Sequence, residues 1–172
     1  MSGDSQRKVA AIIGGGVIGG GWAARFLLHG WDVRVCDPDP EAERKINEVL
    51  GNARRSLPGI YNEVLPAEGD VQFTGSIAEA VTDAQWIQES VPERLEVKHA
   101  VYPEIQAAAR DDAVLASSTS GFKPSQLAEG AVNPGQILVA HPYNPVYLLP
   151  LVEIVQHPHS DAKILADAML IA

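Results

Sequence analysis

The sequence has 172 residues, 46% of them hydrophobic, which is enough for one domain with a sizeable core. Its 22 acidic and 13 basic residues give a formal net charge of −9, which argues against nucleic acid or an anionic membrane surface as a partner. The single cysteine, Cys36, allows no internal disulfide and favours a reducing, cytoplasmic location. No apolar run is long enough to span a membrane, and we expect no membrane segment.

Strands and helices are predicted to alternate along the chain. In chain order, the apolar patterns predict a strand at 8–13, helix 17–30, strand 31–37, helix 38–57, strand 71–76, helix 76–81, strand 84–90, helix 92–110, strand 113–118, helix 123–130, strands 136–141 and 151–156, and helix 160–172. This alternation predicts βαβ units and a mostly parallel, doubly wound α/β sheet.

Individual residues refine several of these helices. Gly30 is expected to end the first helix, and Ser76 and Ser160 are expected to be N-caps. Pro103 is expected to bend or break the helix at 92–110 near Tyr102.

The domain organisation is predicted to be simple. Residues 1–7 are polar and expected to be flexible, and residues 8–172 are expected to form one domain. The last predicted helix stops with no glycine, no basic last turn and no closing strand. We therefore expect these residues to be part of a longer protein.

Three glycines lie directly between the first predicted strand and the first predicted helix. Gly14, Gly16 and Gly19 form a G-x-G-x-x-G motif, in which the glycines permit a tight turn, close approach of a pyrophosphate and close helix packing. The helix N-terminus would present free N–H groups to the phosphates. The motif and its setting predict a Rossmann-type dinucleotide site, and the alternative is a tight turn with no ligand.

A carboxylate follows the second predicted strand. Asp37 lies 37 − 19 = 18 residues after the last glycine, where an acidic residue binds the adenosine ribose hydroxyls. Its charge would repel a 2′-phosphate, which favours NAD over NADP. Arg34 and Arg44 argue the other way if either reaches that phosphate, and Asp37 is also a plausible helix N-cap before Pro38.

His141 ends a predicted strand of the sheet, whereas the other four histidines are interpreted as ordinary surface or capping residues. Ligands in such folds bind at the carboxyl ends of the strands, where the strand at 113–118 also delivers Ser120. His141 is suited to accept a proton from an alcohol as hydride leaves, and Glu153 to fix its tautomer. The alternatives are a structural His–Glu pair or a hydrolase, but the sequence lacks a G-x-S-x-G motif.

Four segments together resemble the 3-hydroxyacyl-CoA dehydrogenase family. They are IIGGGVIGGGW, QESVPERLEVK, SSTSG and HPYNPVYLLPLVEIV, which occur in the family's order, and the resemblance covers the chain from about residue 8 to 172. It implies a Rossmann-type NAD-binding domain and an NAD-dependent 3-hydroxy-acid dehydrogenase.

The resemblance also implies roles for individual residues. Ser120 would bind the reacting oxygen, His141 would be the general acid/base and Glu153 its partner, and Asn144 matches the family's H-x-x-N-P asparagine. The cofactor contacts would come from Gly14, Gly16, Val17, Ile18, Gly19 and Asp37, with Glu93 and Lys98 around the nicotinamide ribose. No metal site is expected.

Within the family, VYLLPLVE and SSTSG are most similar to the branch that oxidises carnitine, with gulonate-type and hydroxyacyl-CoA-type members as alternatives. Pro142 replaces an aromatic residue of the CoA-dependent members, and the few basic residues near 40–70 are a poor cradle for CoA. Tyr143 and Tyr147 are candidates for holding a quaternary ammonium, although both are equally suited to packing the loop.

The family's further catalytic asparagine and its helical substrate and dimerisation domain are absent from this chain. We therefore expect a homodimer formed through that domain, and little activity from this segment alone. A dinucleotide-binding module without catalysis is the alternative from another class.

Overall fold

The computed structural model describes residues 7–61 and 64–172. It contains seven strands, β1 to β7, and six helices, α1 to α6, in the predicted order. The strands are β1 Val9–Ile13, β2 Asp32–Cys36, β3 Val71–Phe73, β4 Trp86–Glu89, β5 Val114–Ser117, β6 Ile137–Pro142 and β7 Val152–Val155. The helices are α1 Val17–Leu28, α2 Ala42–Ser56, α3 Ile77–Val81, α4 Leu95–Ala108, α5 Pro124–Leu127 and α6 Ala162–Ile171.

The strands form one sheet in the order β3-β2-β1-β4-β5-β6-β7. Every pairing is parallel except that of β6 with β7, which is antiparallel. The predicted doubly wound α/β sheet is therefore confirmed. The strand order reverses between β1 and β4, and a crevice opens at this point at the carboxyl ends of the strands.

Each face of the sheet is covered by its own core. One core packs the aromatic residues Trp22, Phe26 and Trp86 between the sheet and helices α1, α2 and α6. The other packs Ile87, Tyr102 and Leu115 under α3, α4 and α5. Because these strands are buried on both faces, β1 is wholly apolar, and β4 and β5 are apolar up to the polar residues at their carboxyl ends.

Two predicted helix ends are confirmed and one is wrong. Gly30 has φ +82° just beyond α1, and the Ser76 side chain accepts a hydrogen bond from the N–H of Glu79 at the start of α3. The N-cap of α6, however, is Asp161, whose carboxylate accepts from the N–H groups of Lys163 and Ile164. Ser160 instead turns back and accepts from the N–H of His157.

The predicted break of α4 at Pro103 is also wrong, whereas the bend that was the other predicted outcome stays a prediction. The helix runs through Pro103 to Ala108. Pro103 is exposed, so its ring lies on the outer side of the helix and leaves the packing of α4 on the sheet undisturbed. Tyr102 and Ile105 on either side are 1% and 0% exposed, and their burial holds the helix against the sheet.

The predicted surface position of one histidine is wrong. His157 is buried, contrary to its interpretation as a surface residue, and its Nδ1 accepts a hydrogen bond from the N–H of His159.

Of the predicted flexible segment, residues 1–6 lie outside the described residues, and the Arg7 guanidinium lies 3.3 Å from Asp32. In the described ranges, no helix has both the length and the apolar character needed to cross a membrane.

Candidate active site

The first and third glycines of the loop make close backbone contacts that leave no room for a side chain. Gly14 has φ +99°, and a Cβ atom there would lie 2.5 Å from the carbonyl oxygen of Ser90. A Cβ atom on Gly19 would lie 1.8 Å from the carbonyl oxygen of Gly14. Gly16, in contrast, has no atom within 4 Å of its Cβ position. The loop is thus pinned by its first and third glycines and open at its second, which suits a phosphate approaching the N-terminus of α1.

A cleft of about 960 Å³ opens beside this loop, at the carboxyl ends of β1, β2 and β4. Gly14, Gly16 and Asp37 all line it. The Asp37 carboxylate accepts one hydrogen bond at each oxygen, from the N–H of Gly15 and from that of Asp39. Each oxygen retains a further lone pair for the hydroxyl of a ligand.

Cys36 and the valines of α4 complete the apolar wall of this cleft. Val97 and Val101 are half-buried and line the cleft, and Val101 also packs against the core under α4. Burial, partly opposed by a hydrogen bond from Thr74, raises the pKa of the Cys36 thiol. Cys36 therefore remains a neutral apolar contact at neutral pH.

The two arginines that favour a 2′-phosphate are both engaged elsewhere. The Arg34 guanidinium donates to the carbonyl oxygen of Thr82. The Arg44 guanidinium lies 2.7 Å from Glu41 and 3.5 Å from Glu48. The cleft itself is lined by two acidic residues, Asp37 and Glu104, and a carboxylate at the position of Asp37 is the arrangement that favours NAD.

His141 and Glu153 meet as a cross-strand pair. They are direct partners in the antiparallel register of β6 and β7, and His141 Nδ1 lies 2.9 Å from Glu153 Oε2. The Tyr143 hydroxyl donates to the other carboxylate oxygen at 3.3 Å. The His141 side chain is 29% exposed, so its ring is fixed on one side by Glu153 and accessible on the other.

Ser120, Glu93 and Lys98 lie together in a smaller pocket of about 220 Å³, which also includes Ile18 and Ser90. Glu93 Oε1 accepts hydrogen bonds from the Thr119 hydroxyl and from the N–H groups of Ser120 and Gly121. Burial alone would raise the pKa of Glu93, but the Thr119 hydroxyl and the Lys98 ammonium outweigh it, and the pKa lies below its ordinary value.

The remaining predicted residues lie at the same edge of the sheet without direct contacts to the His–Glu pair. Val17 begins α1 and is 68% exposed beside the glycine loop. Asn144 is exposed in the loop after β6. Among the described residues, neither the Ser120 hydroxyl nor the Asn144 amide forms a hydrogen bond with His141 or Glu153.

Within residues 7–61 and 64–172, no group of three or more His, Cys, Asp and Glu side chains is arranged to hold a metal ion.

Sequence reasoning missed a buried polar network behind the smaller pocket. Glu89, at the end of β4, is 0% exposed and accepts from Lys98, Tyr102 and Ser117. A hydropathy pattern assigns Glu89 and Lys98 to the surface because both are charged. The detectable signal was the spacing of Lys98, Tyr102 and Ile105, which places them on one face of α4.

A family model described as the NAD-binding domain of 3-hydroxyacyl-CoA dehydrogenase matches residues 9–172. The chain is 67% identical, over 92% of its length and 33% of the relative, to L-carnitine dehydrogenase/betainyl-CoA thioesterase from Ruegeria pomeroyi. It is 45% identical, over 98% of its length and 53% of the relative, to L-carnitine dehydrogenase from Pseudomonas aeruginosa. A solved NAD+-dependent 5-formyl-3-hydroxy-2-methylpyridine 4-carboxylic acid 5-dehydrogenase matches with TM-score 0.84 and 31% identity, over 94% of this chain and 53% of that one.

The chain thus spans between about a third and about half of the length of these curated relatives. The match of the family model agrees with the pinned glycine loop and with Asp37 at the end of β2. The chain therefore belongs to the 3-hydroxyacyl-CoA dehydrogenase family and comprises its NAD-binding domain.

Proposed function

We propose that the protein oxidises the 3-hydroxyl group of a small hydroxy acid with NAD, converting L-carnitine to 3-dehydrocarnitine. The observation that carries the proposal is the His141–Glu153 pair, with 2.9 Å between ring and carboxylate, at the sheet edge that also bears the glycine loop. The relatives named L-carnitine dehydrogenase support the choice of substrate, since their identities of 45% and 67% extend over nearly the whole chain.

His141 is the proposed general base. Its Nδ1 is engaged by Glu153, which leaves Nε2 to take the proton of the substrate hydroxyl. Glu153 fixes this tautomer and stabilises the imidazolium that forms. NAD, when bound, would supply the acceptor for the hydride of the carbon atom that bears this hydroxyl group.

The other site residues are proposed to position the reactants. The Ser120 hydroxyl would hold the reacting oxygen, and Asn144 would contribute from the loop after β6. Glu93 and Lys98 would bind around the nicotinamide ribose, and Val17 and Ile18 would contact the cofactor beside Gly14, Gly16 and Gly19. These assignments follow the family motif and are consistent with the shared pocket of Ser120, Glu93 and Lys98.

Three of the four basic residues on α2 are paired with carboxylates, which argues against a CoA ester as the substrate. Lys45 lies 2.6 Å from Asp39, Arg54 lies 2.6 Å from Glu68, and Arg44 is paired with Glu41. Cations that are already paired on a surface have less charge to offer to the phosphates of CoA. Of the two tyrosines, Tyr143 is 40% exposed beside His141, whereas Tyr147 packs against the core, so Tyr143 is the better candidate for the ammonium group.

The proposal is tested by assaying the full-length protein for NADH formation with L-carnitine, L-gulonate and a 3-hydroxyacyl-CoA. We expect kcat/KM for L-carnitine to exceed that for either alternative by about 100-fold or more. NAD reduction with the CoA ester alone would overturn the choice of substrate. The expected homodimer and the cytoplasmic location also remain proposals, and sedimentation of the full-length protein tests the dimer.

Cofactor selectivity provides a separate prediction. Replacing Asp37 with serine removes the carboxylate at the ribose end of the cleft, and we expect the preference of kcat/KM for NAD over NADP to fall by about tenfold or more. Asp39→Ser is the matched control, because Asp39 caps the turn before α2 and pairs with Lys45 outside the cleft. Equal preferences in wild type and Asp37→Ser would show that Asp37 does not read the ribose.

A further inference from the structure

The carboxylate of Glu89 is wholly buried, and each of its two oxygens accepts two hydrogen bonds. Oε2 accepts from the Tyr102 hydroxyl at 2.8 Å and from the Ser117 hydroxyl at 2.6 Å. Oε1 accepts from the Lys98 ammonium at 2.7 Å and from the N–H of Val91 at 3.0 Å. One oxygen thus anchors Glu89 within the core, and the other faces the loop that follows β4.

Lys98 connects the buried carboxylate of Glu89 to that of Glu93, which is partly exposed. Its side chain is 1% exposed, and Nζ lies 2.7 Å from Glu89 and 3.3 Å from Glu93 Oε2. The other oxygen of Glu93 receives the N–H groups of Ser120 and Gly121, both at 3.2 Å. A continuous series of contacts therefore leads from the core through Lys98 and Glu93 to the turn that carries Ser120.

Stability alone does not explain a charged pair at this buried position. Buried ion pairs are often replaceable by apolar residues at little cost, so a pair such as Glu89 and Lys98 adds little to the packing of α4 on β4. What it adds is a fixed position for the ammonium group. Without the charge of Glu89, Lys98 would keep Glu93 as its one ionic partner among the described residues, and we expect it to draw that carboxylate away from the Ser120 turn.

We propose that Glu89 is a positioning residue, which acts through Lys98 and Glu93 to hold the Ser120 turn and the pocket that receives the nicotinamide end of NAD. The site is assigned in the proposed function to Ser120, Glu93 and Lys98, and the role of Glu89 rests on that assignment. Glu89 does not touch this pocket itself, since its side chain is closed in by β5 and α4.

The test compares Glu89→Gln with Tyr102→Phe in the full-length protein. Glutamine keeps the shape of Glu89 but removes the charge and turns an N–H group towards donors. We expect the Kd for NADH, measured by fluorescence, to rise about tenfold and kcat to fall about tenfold or more. Tyr102→Phe removes a hydroxyl from the core side of Glu89, so it should lower the thermal midpoint by about 2–4 °C and leave Kd and kcat within about twofold.

A second variant covers the case in which Glu89→Gln does not fold. Glu89→Asp keeps a negative charge beside Lys98, so it leaves no unpaired charge in the core, but it retracts the carboxylate from Lys98 Nζ by one methylene group. The Kd for NADH and kcat should change in the same directions as in Glu89→Gln, because the ammonium group of Lys98 again loses its fixed position. For whichever of the two proteins folds, a change of more than about fivefold in Kd or kcat supports the proposal, and smaller changes in both overturn it.

The NADH titration separates this proposal from that of the substrate. If the full-length protein oxidises none of the three substrates and Glu89→Gln still weakens NADH binding, the positioning role stands and the proposed function fails. If L-carnitine is oxidised and the Glu89 variants match wild type in both measurements, the positioning role alone is overturned.

Discussion

Replacing His141 with alanine in the full-length protein is expected to lower kcat by about a thousandfold or more. The variant loses both the acceptor of the hydroxyl proton and the imidazolium that Glu153 stabilises, and general-base catalysis together with its orienting carboxylate accounts for effects of this size. The Kd for NADH should stay within about twofold of wild type, because His141 lies at β6 and the dinucleotide cleft lies at β1, β2 and β4. Steady-state kinetics and NADH fluorescence titration measure the two quantities.

His99→Ala is the matched control for that experiment. His99 lies on α4, and its ring contacts the carbonyl oxygen of Gln126 at 2.7 Å, away from β6 and β7. Turnover of the control should remain within about twofold of wild type. If His141→Ala retained full turnover, the His141–Glu153 pair would be a structural feature of the sheet edge, and the chain would fit the alternative of a dinucleotide-binding module without catalysis.

Gly19→Ala is expected to abolish tight NADH binding and to destabilise the domain by about 3 kcal/mol. Its Cβ atom would lie 1.8 Å from the backbone oxygen of Gly14, so either α1 or the glycine loop must move. Such a movement displaces the N–H groups at the start of α1 that are to hold the pyrophosphate. NADH titration and thermal unfolding of the full-length variant measure the two effects.

The neighbouring glycine provides a control of the same chemistry. A Cβ atom on Gly20 would meet the side chains of Ile46 and Val49 at 3.5–3.6 Å, which is ordinary contact. Because alanine favours a helix by about 0.5–1 kcal/mol over glycine, Gly20→Ala should be neutral or slightly stabilising and should bind NADH normally. Equal behaviour of the two variants would show that close packing at Gly19 is not what shapes the phosphate site.

The parts of the fold that were predictable from the sequence are those set by local patterns. The apolar strands, the glycine loop and Asp37 follow from residue order and spacing, and the parallel sheet follows from their alternation. The pairing of His141 with Glu153 was also inferable, because a strand, a short loop and a returning strand bring the two residues opposite each other. These features depend on neighbours in sequence or on one general rule of connection.

The features that were missed depend on tertiary environment. Asp161 rather than the predicted Ser160 caps α6 because a cap is selected by backbone geometry at one residue, which a sequence pattern does not distinguish from its neighbour. Pro103 leaves α4 intact because it faces solvent. Glu89 and Lys98 are charged and therefore resemble surface residues in any pattern of hydropathy, although each is stabilised in the core by partners from other elements.

The most direct test of the central claim is the transfer of deuterium by the full-length protein from L-carnitine labelled at C3. If hydride leaves C3 while His141 removes the proton from the oxygen on that carbon, the NADH that forms must carry the label at its nicotinamide ring, and mass spectrometry will show a gain of one mass unit. Carnitine consumed without label in NADH, or an active protein that does not reduce NAD with this substrate, would contradict the account.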